Sequence, residues 1–233
     1  MKTNNNLLNK YIIKNITTIS SIDKNSWNTC AGNSNPFISY EFLESLEESG
    51  CISKQTGWIP YHLLIYDNEN NLLACCPLYL KTNSQGEYIF DYSWANALEQ
   101  VGVNYYPKLL VATPFTPVSG PRLLVKNKNE SNKLKSILIE RIIEIAKNNN
   151  FSSIHLNFTL NEDNEILSSK KFLNRIGVQF HWKNNNYENF TDFLSFLSSR
   201  KRKLIIKERE KSLKQQIKIS ILTGKDIKDE HLD

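Results

Sequence analysis

The run Ser131-Asn132-Lys133-Leu134-Lys135-Ser136-Ile137-Leu138-Ile139-Glu140-Arg141-Ile142-Ile143-Glu144-Ile145-Ala146-Lys147 decides the fold class of this chain. Leu134, Ile137, Leu138, Ile142 and Ile145 recur at steps of three and four, so they line one face of a helix, and Glu140, Glu144 and Lys147 take the other. Arg141 falls at the margin of the apolar stripe, where its stem packs and its head reaches water. Three asparagines at 148–150 end the helix. The period then changes: Ile154, Leu156 and Phe158 alternate with His155 and Asn157, which is a strand. Helix and strand repeat in 163–176, closed by Gly177, and in 178–182. That order predicts an α/β chain, with one mixed sheet over residues 35–190 and helices on its faces.

Toward the N-terminus the same grammar continues. Residues 11–16 read as a first strand after an Asn-rich tail, 1–10. Ser39 is placed to cap a helix whose inward stripe is Phe42, Leu43 and Leu46 and whose stop is Gly50. Residues 61–66 and 72–81 read as two strands joined by the polar turn 67–71. Pro77 sits inside the second, where it removes a ladder donor, so a bulge or an edge is expected there. Residues 87–92 read as a further strand. The stretch 107–121 holds four prolines and a glycine, and predicts a stiff, shaped loop between strands at 109–112 and 122–125.

Toward the C-terminus a helix from Thr191 to about Ser198 is followed by a basic helix, 200–214, and a strand, 217–222. The domain boundaries expected are a tail over 1–10, a main domain over 11–190, and a linker helix opening a second unit over 191–233. Charge divides the same way. Residues 1–199 hold 18 basic and 18 acidic side chains, and residues 200–233 hold 11 and 6, which is the whole excess of +5. A basic end on a neutral body points to an anionic partner, and the consecutive Arg200, Lys201, Arg202 and Lys203 are its candidates.

Composition excludes several classes. Hydrophobic residues make up 40% and aromatics 11%, enough for a core and against global disorder. No apolar run reaches the roughly 20 residues of a membrane span, and no signal peptide opens the chain, so a cytoplasmic location is expected. Cys30, Cys51, Cys75 and Cys76 form no metal-type spacing with one another or with histidine and read as structural thiols, with no metal expected. Phosphate-loop, dinucleotide, zincin and nucleophile-elbow motifs are absent.

What remains are scattered polar groups. Glu87 and Asp91, four apart in a strand reading, would point the same way and form a carboxylate pair able to tune a general base. His181 sits among aromatics in Gln179-Phe180-His181-Trp182 and is the histidine placed to line a pocket, whereas His62 and His155 read as sheet-face residues. Lys108, beside Tyr105-Tyr106-Pro107, and Arg122 are candidates to bind an anionic group.

Seven ordered segments resemble a known family. They include Asn35-Pro36-Phe37, Gly57-Trp58-x-Pro60-x-His62-Leu63, Pro77-Leu78-Tyr79-Leu80-Lys81 and Gly86-Glu87-Tyr88-x-Phe90-Asp91-x-x-Trp94-Ala95. Tyr105-Tyr106-Pro107-Lys108-Leu109, Pro114-Phe115-Thr116-Pro117-Val118-x-Gly120-x-Arg122 and Gln179-Phe180-His181-Trp182 follow in order. The pattern resembles FemAB-like peptidoglycan biosynthesis/recognition proteins from about Asn35 onward. That resemblance implies an acyl-CoA N-acyltransferase (GNAT-like) fold used in tandem, here with the second unit only begun. It implies acyl or aminoacyl transfer to an amine of a small molecule or peptidoglycan precursor. The donor would be acyl-CoA or aminoacyl-tRNA, a substrate rather than a permanent cofactor. The base would come from Glu87, Asp91 or His181, and Trp94, Lys108, Arg122, Arg200 and Arg202 would bind substrate. Two expectations follow for partners: tRNA, and a chain supplying the rest of the second unit. The alternative reading is a non-catalytic fragment or binding module.

Overall fold

Strand β1 (Ile12–Ile16) opens the chain's regular structure, and helix α1 (Lys24–Ala31) follows, capped by Asp23, whose Oδ2 accepts the Ser26 N–H at 2.8 Å. The computed structural model describes residues 10–214 and 219–231. Two compact units divide it, Met1–Arg175 and Ile176–Asp233.

In the first unit, α2 (Tyr40–Glu48) starts where Ser39 Oγ accepts the Phe42 N–H, and Gly50 in the left-handed region (φ 75°) lies just past its end. Then come β2 (Trp58–Pro60), β3 (His62–Tyr66), β4 (Leu72–Cys76) and β5 (Leu78–Lys81). Helix α3 (Tyr92–Gln100), β6 (Lys108–Val111), β7 (Leu124–Val125), α4 (Ser131–Asn148), β8 (Ile154–Leu156) and α5 (Asn161–Ser169) complete it.

Instead of one sheet there are two four-stranded sheets, ordered β1-β3-β4-β7 and β2-β5-β6-β8. They share a single long hairpin. Leu63 lies opposite Cys76 and Pro60 opposite Tyr79, so one register runs past Pro77. The break is on the hairpin's other side. Val111 is opposite Leu78 and Leu124 opposite Cys75: three residues along one strand match thirteen along the other, so ten residues, 113–122, leave the sheet. The Pro77 carbonyl accepts from Ala112 N at 3.4 Å. A strand residue's N–H and C=O point to the same side, so the donor proline lacks falls where the partner strand departs. β8 pairs with β6 in parallel, the connection running through α4.

Side chains alternate across these strands. Leu63, Ile65, Ala74, Cys76 and Val111 pack with Leu134, Leu138, Ile142 and Ile145 of α4. Leu64, Leu72 and Cys75 pack on the opposite face with Trp27, Ile38 and Leu43 of the α1–α2 side. The layers are helix, sheet, helix.

Several expectations change. Residues 87–91 are irregular rather than a strand, because Tyr88 (φ 59°) and Phe90 (φ 52°) adopt the left-handed region, and Tyr92 already belongs to α3. Helix α5 ends at Ser169, with Lys171 at φ 64° closing it. Residues 178–182 are not a strand; Val178, Phe180 and Trp182 are exposed. Helix α1 has no counterpart in the sequence reading.

The second unit contains α6 (Phe190–Ser195) and α7 (Ser199–Leu213). Trp182, Tyr187, Phe190 and Phe196 form an aromatic group, each ring edge-on or tilted to Phe193 or Tyr187. Of the expected strand at 217–222, Ile217 and Lys218 lie outside the described residues, and 219–222 carry no strand. Among the described residues no helix is long and apolar enough to cross a membrane.

Candidate functional site

Lys108 opens β6 with no exposed surface. Its Nζ donates to Ser84 Oγ (3.1 Å), Glu87 Oε2 (2.9 Å) and Asp91 Oδ2 (2.6 Å). Three acceptors saturate an ammonium group. The left-handed turns at Tyr88 and Phe90 bring the two carboxylates inward, so Glu87 and Asp91 converge, though not through the strand geometry that predicted it. Tyr105 Oη donates to Asp91 Oδ2 at 2.6 Å and lies 3.4 Å from His155 Nε2. Tyr106 Oη meets Ser84 Oγ at 2.7 Å, and His155 Nε2 meets Ser153 Oγ at 3.1 Å.

A second buried cation stands beside the first. Lys81 faces Lys108 across the β5–β6 pair; its Nζ donates to Gln85 O (3.2 Å) and lies 3.7 Å from the Trp58 ring centroid. Gly86 anchors the turn at φ 76°. A Cβ there would stand 2.5 Å from the Phe115 ring, and the Gly86 carbonyl accepts from Phe115 N.

The electrostatics separate the groups. Burial pushes the Glu87 carboxyl up despite the nearby Lys108. Burial acts on Asp91 in the same sense, but hydrogen bonds from Lys108, Ser84 and Tyr105 outweigh it and hold Asp91 down at about 2. Burial lowers Lys81 to about 7, with Lys108 adding to the fall and Glu87 opposing it. His155 is lowered to about 4 by burial and by Lys108, which keeps its ring neutral at neutral pH. Glu87 Oε1 and Asp91 Oδ1 are buried without a protein partner. One oxygen of Glu87 is therefore fixed on Lys108 and the other is uncommitted, on the carboxyl more easily protonated. Single ligand atoms of Glu87, Asp91 and His155 lie within 4.8 Å of one another, a spacing that suits a metal ion. Lys108 already bonds both carboxylates, so a cation binding there has to displace its ammonium.

The other predicted residues lie elsewhere. Arg122 is fully buried, and its donors meet carbonyls: Nε to Asn157 (2.8 Å), Nη1 to Pro121 (3.2 Å) and Nη2 to Val118 (2.6 Å). It holds the 113–122 excursion to the end of β8, and burial lowers it to about 10. Trp94, half-exposed on α3, has the Arg175 guanidinium 4.5 Å from its ring. His181 belongs to the second unit, where it is exposed and its Nε2 lies 3.3 Å from Gln179 Oε1. Arg200 is exposed on α7. Arg202 donates to the carbonyls of Leu194, Ser195 and Leu197, closing the C-terminal end of α6, and Arg209 lies over Phe190. The sequence reading missed Lys81, Ser84, Tyr105, Tyr106 and His155. A lysine ending one apolar strand, 78–81, and another beginning the next, 108–111, was the available signal.

Comparison with known proteins gives one family. The model of the FemAB-like family, described as peptidoglycan biosynthesis/recognition, matches residues 18–233. No curated protein matches. Among solved structures, an aminoglycoside antibiotic 6'-N-acetyltransferase from Acinetobacter baumannii is 14% identical, covering 75% of this chain and 98% of that one, with a TM-score of 0.43. One from Acinetobacter haemolyticus is 15% identical, covering 75% and 99%, also at 0.43. A glucosamine-6-phosphate N-acetyltransferase from Arabidopsis thaliana is 10% identical, covering 74% and 97%, at 0.40.

Proposed function

The chain belongs to the FemAB-like family of peptidoglycan biosynthesis/recognition proteins, and from that premise we propose that it is a GNAT-like N-acyltransferase that moves an activated acyl group onto an amine of a peptidoglycan-precursor substrate. The observation that carries the reading is Glu87: buried, held at Oε2 by Lys108, unpartnered at Oε1, and with its carboxyl pushed up. Acyl transfer to an amine asks little else of side chains, because the donor, an acyl thioester, is already activated. The amine nitrogen attacks the thioester carbonyl, the C–S bond breaks, an amide forms and the thiol leaves with a proton. Glu87 Oε1 takes the proton that the attacking amine must lose and passes it to the departing thiolate, which regenerates the base. Lys108 fixes the carboxylate, and Asp91, held ionised, balances the lysine.

Unpartnered polar groups also stand at the other end of the parallel pair, past the carboxyl ends of β6 and β8 rather than beside Lys108. Thr113 Oγ1, just past β6, and Asn157 Nδ2, just past β8, are buried without protein partners. The carboxyl ends of parallel strands are where α/β sheets bind ligands.

The test uses the full chain with acetyl-CoA and an amine-bearing muropeptide, following thiol release. Glu87→Gln keeps the shape and removes the base. It should lower kcat by roughly 10²–10⁴-fold with donor affinity unchanged. Full turnover in Glu87→Gln would remove Glu87 from the role. A second reading, recognition without turnover, is favoured by the burial of the whole network. Saturable muropeptide binding with no thiol release in the wild type would select it.

A further inference from the structure

A shallow, solvent-open pocket of about 360 Å³ lies between the Asn35-Pro36-Phe37 turn and the 113–122 excursion. No charged side chain lines it. Its walls include Pro36, Phe37, Pro121 and Leu160, all apolar, with Asn35 and Ser119 among them.

The backbone donors beside this pocket are set by Arg122. Arg122 Nη2 takes the Val118 carbonyl at 2.6 Å. In a trans peptide the C=O and N–H point in opposite directions, so the Ser119 N–H is turned away from Arg122, and Ser119 itself lines the pocket. No described residue accepts from that N–H. The neighbouring N–H, of Gly120, is already committed to Phe158 O at 3.0 Å. Asn35 supplies a second donor. Its Oδ1 accepts from Phe37 N at 3.0 Å, which fixes the amide, and its Nδ2 would stand 2.2 Å from a Cβ at Gly120. The loop thus closes on the turn only because residue 120 lacks a side chain.

Two neutral N–H donors beside apolar walls, with no carboxylate and no exposed cation, suit a neutral carbonyl oxygen carrying a methyl group. A carboxylate meets no cation in the pocket wall, since Arg122 is fully buried behind the loop and does not line it. We infer that this pocket binds the acetamido group of an N-acetylated amino sugar: the carbonyl oxygen on Ser119 N–H and Asn35 Nδ2, the methyl against Phe37 and Leu160. The inference rests on the reading of the substrate as a peptidoglycan component and names the part recognised.

The probe is N-acetylglucosamine with the full chain, read by saturation-transfer difference NMR and titration calorimetry without donor or turnover. Strongest transfer should fall on the acetyl methyl, and glucosamine and acetate should bind at least tenfold more weakly. Gly120→Ala, which drives a methyl into Asn35 Nδ2, and Ser119→Pro, which deletes the N–H and leaves the Val118 carbonyl, should each weaken binding at least tenfold. Glu87→Gln should bind as the wild type does, which separates this pocket from the proposed acyl transfer. Absence of binding to the wild type, equal binding of glucosamine or acetate, or unchanged affinity in both folded pocket variants would overturn the inference.

Discussion

Lys81 and Lys108 face each other across the β5–β6 pair, both without exposed surface. Like charges directly opposite in an antiparallel pair are destabilising. Here they are served unequally: Lys108 has three acceptors, two of them carboxylates, and Lys81 has one carbonyl and an aromatic face. The cluster therefore has one saturated ammonium and one that releases its proton readily.

Lys81 gives a pH prediction whose sign differs from the usual lysine. Its folded value is about 7, below the ordinary 10.5. Folding disfavours its proton, so the penalty is full below about pH 7 and fades as pH rises toward the unfolded value. Lys81→Met should raise stability at pH 6 by a few kcal/mol, since each tenfold loss of proton affinity on folding costs about 1.4 kcal/mol. The gain should shrink steadily toward pH 10. Urea unfolding at several pH values measures it, and a gain independent of pH would show that Lys81 is not buried as a charge.

Removing Lys108 should act oppositely. Lys108→Met leaves Glu87 and Asp91 buried without their common cation, and breaking a buried pair from one side costs about 3–5 kcal/mol. Adding Glu87→Gln and Asp91→Asn should recover most of the loss. A triple variant no more stable than Lys108→Met would place the cost in packing rather than charge.

Arg122 is predicted to act through loop order. One ammonium cannot span three carbonyls as the guanidinium fork does. Arg122→Lys should cost about 1–3 kcal/mol and speed hydrogen exchange over 113–122 more than over α4. Uniform acceleration across both segments would show that the clamp has no local role.

Helix α4 was legible because five large aliphatic residues at helical spacing leave no competing period. The Pro77 break was legible too, but not its side: the hairpin register passes through, and the missing donor matters only toward the excursion. Residues 178–182 mislead because alternation describes a strand's faces and says nothing about a ladder neighbour. Glu87 and Asp91 converge as expected by an unforeseen route, since no local rule announces left-handed Tyr88 and Phe90. Arg122 and Arg202 read as anion binders because a guanidinium's partners are invisible in sequence. Both donate to backbone carbonyls. The separation of Glu87 from Asp91 in acidity depends on the hydrogen bonds that Asp91 receives from Lys108, Ser84 and Tyr105, which no spacing rule brings together.

If Glu87 is the base of an acyl transfer, its ionisation controls the rate on the acid side. The measurement is the pH profile of kcat/KM for thiol release from acetyl-CoA, with the muropeptide acceptor and the full chain. Because burial pushes the carboxyl up, the wild-type rate should fall on the acid side through a value above the ordinary 4.5 of glutamate. In Glu87→Gln that acid limb should disappear from the residual rate. An identical acid limb in both proteins would show that another group takes the amine's proton.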